Sequence, residues 1–129
     1  MPAMTNPETR NLCYWLAENV MGWAVETGDY GQMICRDNSV AVYLNFFPTE
    51  DPDAALMVLE KCLKKVSELG VFDISMCLDA GADEPYVVCL NSPDDANDEI
   101  CVDSCASAKT LGLAIALFAR NLYSLKPRI

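Results

Sequence analysis

The sequence predicts a single α+β domain over residues 1–129, in which an antiparallel sheet is packed against helices as an α-β-α layered sandwich. Three observations predict it. Several segments alternate apolar and polar residues, as strands with one buried face do. Three other segments carry apolar residues at helical spacing. The chain is 129 residues long, 52% hydrophobic and 22% charged, which is the size and composition of one globular domain.

The predicted order is a helix, three strands, a helix, two or three strands and a last helix, with a core over about residues 5–123 and a short mobile C-terminal tail at 124–129. The first helix begins near Thr5 and Glu8, which have capping-box spacing, with Pro7 in the first turn. Gly22 is expected to end it. Its predicted buried stripe comprises Leu12, Trp15, Leu16 and Val20.

Three strands are predicted after this helix. The segments 23–27 and 32–36 are short strand candidates, joined by the turn sequence Gly-Asp-Tyr-Gly at 28–31. A longer strand is predicted at 39–47, where residues alternate between a fully apolar face and a mixed face. The apolar face comprises Val40, Val42, Leu44 and Phe46, and the mixed face comprises Ala41, Tyr43, Asn45 and Phe47. An antiparallel meander is the simplest connection for the three.

The second helix has the strongest start signal in the chain. Asp51, Pro52 and Asp53 combine a capping carboxylate, a proline at the first helical position and a second acid beside the positive helix end. Gly70 supplies the stop. The predicted buried stripe comprises Ala55, Leu56, Leu59, Cys62, Leu63, Val66 and Leu69.

Residues 71–79 and 85–91 are predicted to form a β-hairpin, because two alternating segments flank a turn at 80–84. We expect an exposed acidic loop at 92–99 and a short last strand at 100–102. The apolar face of the first hairpin strand is predicted to pack on the core, and it comprises Phe72, Ile74, Met76 and Leu78.

The last helix is predicted over about residues 105–123. It is apolar on all sides from 111 to 119, which indicates burial on more than one side. We expect this burial to lie within the fold. The alternative is that one face of the helix makes a homo-oligomer contact.

The composition argues against most catalytic and metal-binding chemistry. Histidine is absent, which removes the commonest general base and the commonest metal ligand. The glycines are scattered rather than gathered in a phosphate-binding loop, and the acidic loop lacks the pattern of a calcium site. Cys101 and Cys105 have three residues between them, which is not zinc-ligand spacing. The sequence therefore predicts no metal and no cofactor.

The cysteines and the absence of long apolar runs favour a cytoplasmic protein. The number of cysteines is odd, and Cys62, Cys77 and Cys89 occupy positions suited to a small hydrophobe, so reduced and mostly buried thiols are predicted. No apolar run approaches the ~20 residues needed to cross a bilayer. The N-terminal residues lack the basic start and apolar core of a signal peptide.

The net charge of −10 is concentrated between Val66 and Ala108, where ten acids occur without a Lys or Arg, leaving nine acids and nine bases elsewhere. Direct nucleic-acid binding is disfavoured, because it requires cations that neutralise phosphates. An acidic face suits a basic protein partner; the alternative is a solvated surface. The candidate partner-binding residues are Asp79, Asp83, Glu84, Asp94, Asp95, Asp98 and Glu99.

Three segments resemble the phage ABA-sandwich domain proteins, a family of small uncharacterised proteins of phages and prophages. They are LAENVMGW at 16–23, FFPTEDPDAALMVLEK at 46–61 and the alanine- and leucine-rich segment at 106–119. The chain departs from the family pattern in the acidic loop at 91–99 and after Ala119. The resemblance implies an α-β-α layered domain and a viral origin, and no activity.

Together these observations predict a non-enzymatic phage accessory protein of the host cytoplasm that binds a basic host protein. A sharper version is an inhibitor of a nucleic-acid-dependent defence, of the anti-CRISPR or anti-restriction type. One alternative is a small-ligand binding protein with a pocket between sheet and helix, lined by Tyr43, Phe47, Tyr86 or the cysteines; another is a structural protein. An enzyme would need a carboxylate pair, a reactive cysteine or a carboxylate-bound metal, and the adjacent acid pairs are better explained by loop solvation.

Overall fold

The computed structural model describes residues 7–37, 42–69, 73–91, 101 and 104–124. These residues form three helices, α1 (Pro7–Asn19), α2 (Pro52–Leu69) and α3 (Leu111–Tyr123). They also form six strands, β1 (Ala24–Thr27), β2 (Met33–Arg36), β3 (Val42–Leu44), β4 (Asp73–Leu78), β5 (Tyr86–Asn91) and β6 (Ala106–Ala108). The element order and the α+β class with helices packed against sheet confirm the predicted fold class.

The strands are divided between two antiparallel sheets, β1-β2-β3 and β4-β5-β6, rather than joined in one. The first sheet ends at Leu44 because Asn45 takes a left-handed backbone conformation, with φ of 55°. The side-chain oxygen of Asn45 accepts a hydrogen bond from the Met33 N–H at 3.2 Å, which fixes this turn. The predicted strand at 39–47 is therefore shorter than expected, and its residues 39–41 lie outside the described residues.

Helix α1 confirms its predicted buried stripe and its predicted end, while the predicted cap at Thr5 lies outside the described residues. Leu12, Leu16 and Val20 are buried, and Trp15 is half-buried against the core. Gly22 ends the helical segment with φ of 74°, so that the Trp23 N–H donates to the carbonyl of Ala17 at 3.0 Å. The Trp23 ring then stacks on Tyr43 at 4.4 Å and meets Phe46 edge-on at 4.9 Å, which ties the first sheet to the core.

The start of helix α2 is confirmed, since the Asp53 N–H donates to Oδ1 of Asp51 at 3.1 Å. Its buried stripe differs from the prediction. Val58 is fully buried, whereas Leu56 and Leu63 are 56% and 52% exposed. Helix α2 packs chiefly on one neighbour, α3, so only a narrow face is covered. The stripe that packs comprises Ala54, Ala55, Val58, Cys62 and Val66.

The predicted start of the last helix at Cys105 is wrong. Residues 106–108 pair with β5 as strand β6, in the register Tyr86↔Ala108 and Val88↔Ala106. Helix α3 begins after Thr110, whose Oγ1 accepts a hydrogen bond from the Leu113 N–H at 3.2 Å. Of the predicted strand at 100–102 only Cys101 is described, and its backbone is helical.

Helix α3 is the central helix of the described residues. It packs against α1, α2, β5 and β6, which explains why it is apolar on all sides. Its buried residues are Ala114, Ile115, Ala116, Phe118, Ala119 and Leu122. Among the helices that the structure describes, none is both long enough and apolar enough to span a membrane.

Candidate functional site

The turn between β4 and β5 brings together three of the predicted partner-binding acids. The Asp79 N–H donates to the Pro85 carbonyl at 2.7 Å, closing the hairpin, and the Asp79 carbonyl accepts from the Ala82 N–H at 3.1 Å. Asp79, Asp83 and Glu84 are all exposed here. We call these three residues the acidic turn. The other four candidates, Asp94, Asp95, Asp98 and Glu99, lie outside the described residues.

No base among the described residues is ion-paired with the acids of the acidic turn. In the described part of the chain, the ion pair between Arg36 and Glu26 at 3.2 Å lies in the first sheet, and none of the three acids of the turn is ion-paired. Glu84 accepts one hydrogen bond from the Ser107 hydroxyl at 3.2 Å. The turn therefore presents three carboxylates to solvent, with Glu84 oriented by strand β6.

An exposed apolar strip adjoins the acidic turn. Met76 and Leu78 of the edge strand β4 are 50% and 65% exposed, against the prediction that they pack on the core. They lie opposite Val88 and Tyr86, so they share the sheet face that α3 covers at β5 and β6. Helix α3 packs mainly on β5 and β6 and makes little contact with β4, and Met76 and Leu78 stay exposed. We call these two residues the β4 shelf.

A pocket of about 630 Å³ lies where the N-terminal ends of α2 and α3 meet. Its walls are the segment 48–52, Ala55 and Leu56 of α2, and residues 110–112 with Ile115 of α3. The lining is almost entirely apolar. The aromatic residues predicted to line a pocket lie elsewhere: Tyr43 stacks on Trp23, and Phe47 and Tyr86 pack against the core.

The cysteines are divided between a disulfide and free thiols. Cys89 of β5 is bonded to Cys105, the residue before β6, so the prediction of reduced thiols is wrong for this pair. The sequence places Cys105 in a helix; its position beside β5 follows only from the pairing of β6. Cys62 is a buried free thiol, as predicted, and Cys13 and Cys35 are buried free thiols as well. The prediction of burial is wrong for Cys77, a free thiol that is exposed.

Burial makes the buried thiols poor nucleophiles. It raises the pKa of Cys62 to about 12 and the pKa of Cys35 to about 11, and it also raises the pKa of Cys13. A thiol that stays protonated neither attacks an electrophile nor binds a metal well. The described residues also contain no group of three or more acidic or cysteine side chains placed to hold a metal ion.

Thiol labelling is expected to distinguish the exposed thiol from the buried thiols. With iodoacetamide at about pH 8 and no reductant, Cys77 should be alkylated quickly while Cys13, Cys35 and Cys62 react only after unfolding, because the thiolate is the reactive form. Peptide mapping by mass spectrometry measures each site. The variant Cys77→Ser is the control and should lose the fast alkylation of the peptide that contains residue 77.

Two results would contradict this assignment. One is alkylation of Cys62 as fast as that of Cys77, which would mean that α2 and α3 do not seal it. The other is labelling of Cys89 or Cys105 before reductant is added, which would mean that the two residues are not bonded.

No protein-family model, curated protein or solved structure matches this chain. The geometry of the acidic turn, the β4 shelf and the pocket is therefore what bears on function.

Proposed function

We propose that this protein is a non-enzymatic accessory protein that acts by binding another protein through the acidic turn and the β4 shelf. The observation that carries the proposal is their adjacency: the exposed side chain of Leu78 is followed directly by Asp79, the first acid of the turn. An apolar contact area with charge at its edge is the usual arrangement of a protein interface.

The acids of the turn supply the electrostatic part of the interaction. Three exposed carboxylates at one hairpin end attract a partner with a basic surface and repel nucleic acid. Such charges at the edge of an interface mainly speed association and select the partner. The complex is therefore expected to weaken as salt is added, since exposed charges are screened over about 10 Å at 0.1 M salt.

The β4 shelf supplies the apolar part. In the sheet formed by the described strands, Met76 and Leu78 lie on the edge strand β4, and the backbone of an edge strand can pair with a partner. Strand β4 is exposed over Met76, Cys77 and Leu78, that is, on both faces. A partner that covers this strand would bury two large apolar side chains that the rest of the described chain leaves in water.

The class of partner follows from the charge. A protein surface that normally holds nucleic acid is basic and accepts carboxylates in place of phosphates. The proposed role is that of an anti-CRISPR or anti-restriction type inhibitor in the host cytoplasm, and the resemblance to phage ABA-sandwich proteins supports a viral origin.

The proposed interface does not depend on the disulfide or on self-association. In a reducing cytoplasm Cys89 and Cys105 would be thiols, while backbone pairing of β4, β5 and β6 still holds the acidic turn. Self-association through α3 is not part of the proposal, since its faces are occupied within the fold.

The test compares the wild-type chain with a variant that neutralises the acidic turn, Asp79→Asn, Asp83→Asn and Glu84→Gln. Each is immobilised and exposed to host lysate at about 0.05 M salt, where screening is weak. We expect the wild type to retain proteins that handle nucleic acid, to lose them when duplex DNA is added, and to bind them about tenfold more strongly than the variant.

A matched control changes the charge equally elsewhere. Asp29→Asn, Glu18→Gln and Glu60→Gln neutralise three other exposed acids, and this variant should capture the same proteins as wild type. Retention of no nucleic-acid-handling protein, or equal losses in the two variants, would overturn the proposal.

A further inference from the structure

We propose that the pocket between the N-terminal ends of α2 and α3 binds a small hydrophobic amine, a ligand with an apolar body and one positive charge. This site is separate from the acidic turn and the β4 shelf, and the inference does not depend on the proposed function.

The size and lining of the pocket fit a small molecule. Its volume of about 630 Å³ lies inside the range of roughly 300–1,000 Å³ that is typical of ligand sites. Leu56 of α2 and Leu111 of α3 both line it and are 56% and 40% exposed. A hydrophobic ligand would contact both, together with the buried Ala55 and Ile115.

The walls of the pocket are held in place by contacts of their own. The backbone N–H groups of Glu50 and Asp51 both donate to the Phe47 carbonyl, at 3.0 and 2.8 Å. Thr49 is buried, with its hydroxyl 3.6 Å from the Cys13 sulfur. A Cβ on Gly112 would lie 2.7 Å from the Pro48 carbonyl oxygen, so helix α3 touches the loop directly. A wall fixed in this way does not have to be ordered when a ligand binds.

The charge of the pocket selects an amine. Glu50 and Asp51 are the charged residues of its lining, and both are exposed. The two helix ends contribute only about half a positive charge each, and the Asp51 carboxylate caps α2. Lys109 and Asp53 are next to lining residues in the sequence, but neither lines the pocket, and their opposite charges offset each other. The two carboxylates of the lining outweigh the partial positive charges of the two helix ends, so the net charge of the pocket is negative. A negative pocket disfavours fatty acids and phosphates.

The test uses three probes of equal length and different charge: octylamine, 1-octanol and octanoate at about pH 7, where the amine is protonated and the acid ionised. Binding to the full chain is measured by isothermal titration calorimetry. We expect octylamine to bind most tightly and octanoate most weakly, with about tenfold between them. Glu50→Gln should reduce the advantage of octylamine over 1-octanol and leave 1-octanol binding unchanged, whereas Glu60→Gln should change neither.

A second pair of variants tests the location. Leu56 lines the pocket, and Leu63 is similarly exposed two turns further along the same helix but outside the lining. Leu56→Ser should weaken all three probes about tenfold, and Leu63→Ser should weaken none. Absence of octylamine binding, tighter binding of octanoate than of octylamine, or equal effects of the two leucine variants would overturn the proposal.

Discussion

Replacing Phe118 with alanine is expected to lower the free energy of unfolding by about 3–5 kcal/mol. Phe118 is completely buried and has the largest of the fully buried side chains in the described residues. It lies on α3, the helix that packs against α1, α2, β5 and β6, so the cavity left by alanine would remove contacts from the centre of the core. Since a domain of this kind has about 5–15 kcal/mol of total stability, the loss would be a large fraction of it. Urea unfolding followed by tryptophan fluorescence measures the change.

The control for Phe118→Ala is an aromatic residue in solvent. Tyr30 is 94% exposed in the turn between β1 and β2, so Tyr30→Ala is expected to change stability by less than about 0.5 kcal/mol. Phe118→Leu should fall between the two, because it removes fewer contacts. A cost below about 1 kcal/mol for Phe118→Ala would mean that α3 is not the centre of the core.

Local signals explain how much of the fold could be predicted. Helix α2 begins where Asp51 and Pro52 indicated, because an N-cap carboxylate and a proline act within a single turn. The hairpin of β4 and β5 was predicted for the same reason, since its turn and alternation lie within about 20 residues. The left-handed Gly22 after α1 is a third local signal.

The errors arise where burial depends on a distant neighbour. The helical spacing of apolar residues cannot show which member of the pairs Ala55/Leu56 and Cys62/Leu63 faces the core. Adjacent residues lie only about 100° apart around a helix, so both members fit within one broad apolar stripe. The position of α3 decides which pair is covered. The same reason applies to Met76 and Leu78, which lie on the apolar face of β4 but stay exposed because α3 packs mainly on β5 and β6.

The two candidate sites differ in how visible they are in the sequence. Asp79, Asp83 and Glu84 were found because the turn that gathers them is local and their charge is conspicuous. The pocket was not found, because its walls join residues 48–56 with residues 110–115, and most of them are ordinary apolar residues. The Cys89–Cys105 pair was missed for a related reason: it depends on strand β6, which has helix-favouring alanines but pairs with β5.

Replacing Gly112 with alanine is expected to destabilise the protein by about 1–3 kcal/mol, although alanine is the better helix former. The added Cβ would lie 2.7 Å from the Pro48 carbonyl oxygen and 2.9 Å from the Thr49 carbonyl oxygen. Both are backbone atoms, so the clash cannot be relieved by turning a side chain. The loop at 48–49 must move away from α3, and it forms one wall of the pocket. Urea unfolding measures the loss of stability, and calorimetry with octylamine measures the accompanying loss of binding.

Gly81 provides the matched control, because a Cβ at this position in the hairpin turn would meet nothing within 4 Å. Gly81→Ala should be neutral or stabilising by up to about 1 kcal/mol, since it restricts only the unfolded chain. If Gly112→Ala behaved in the same way, the helix and the loop would not be in contact. The pocket would then lack its fixed wall, because the approach of α3 to residues 48–49 is what joins its two sides.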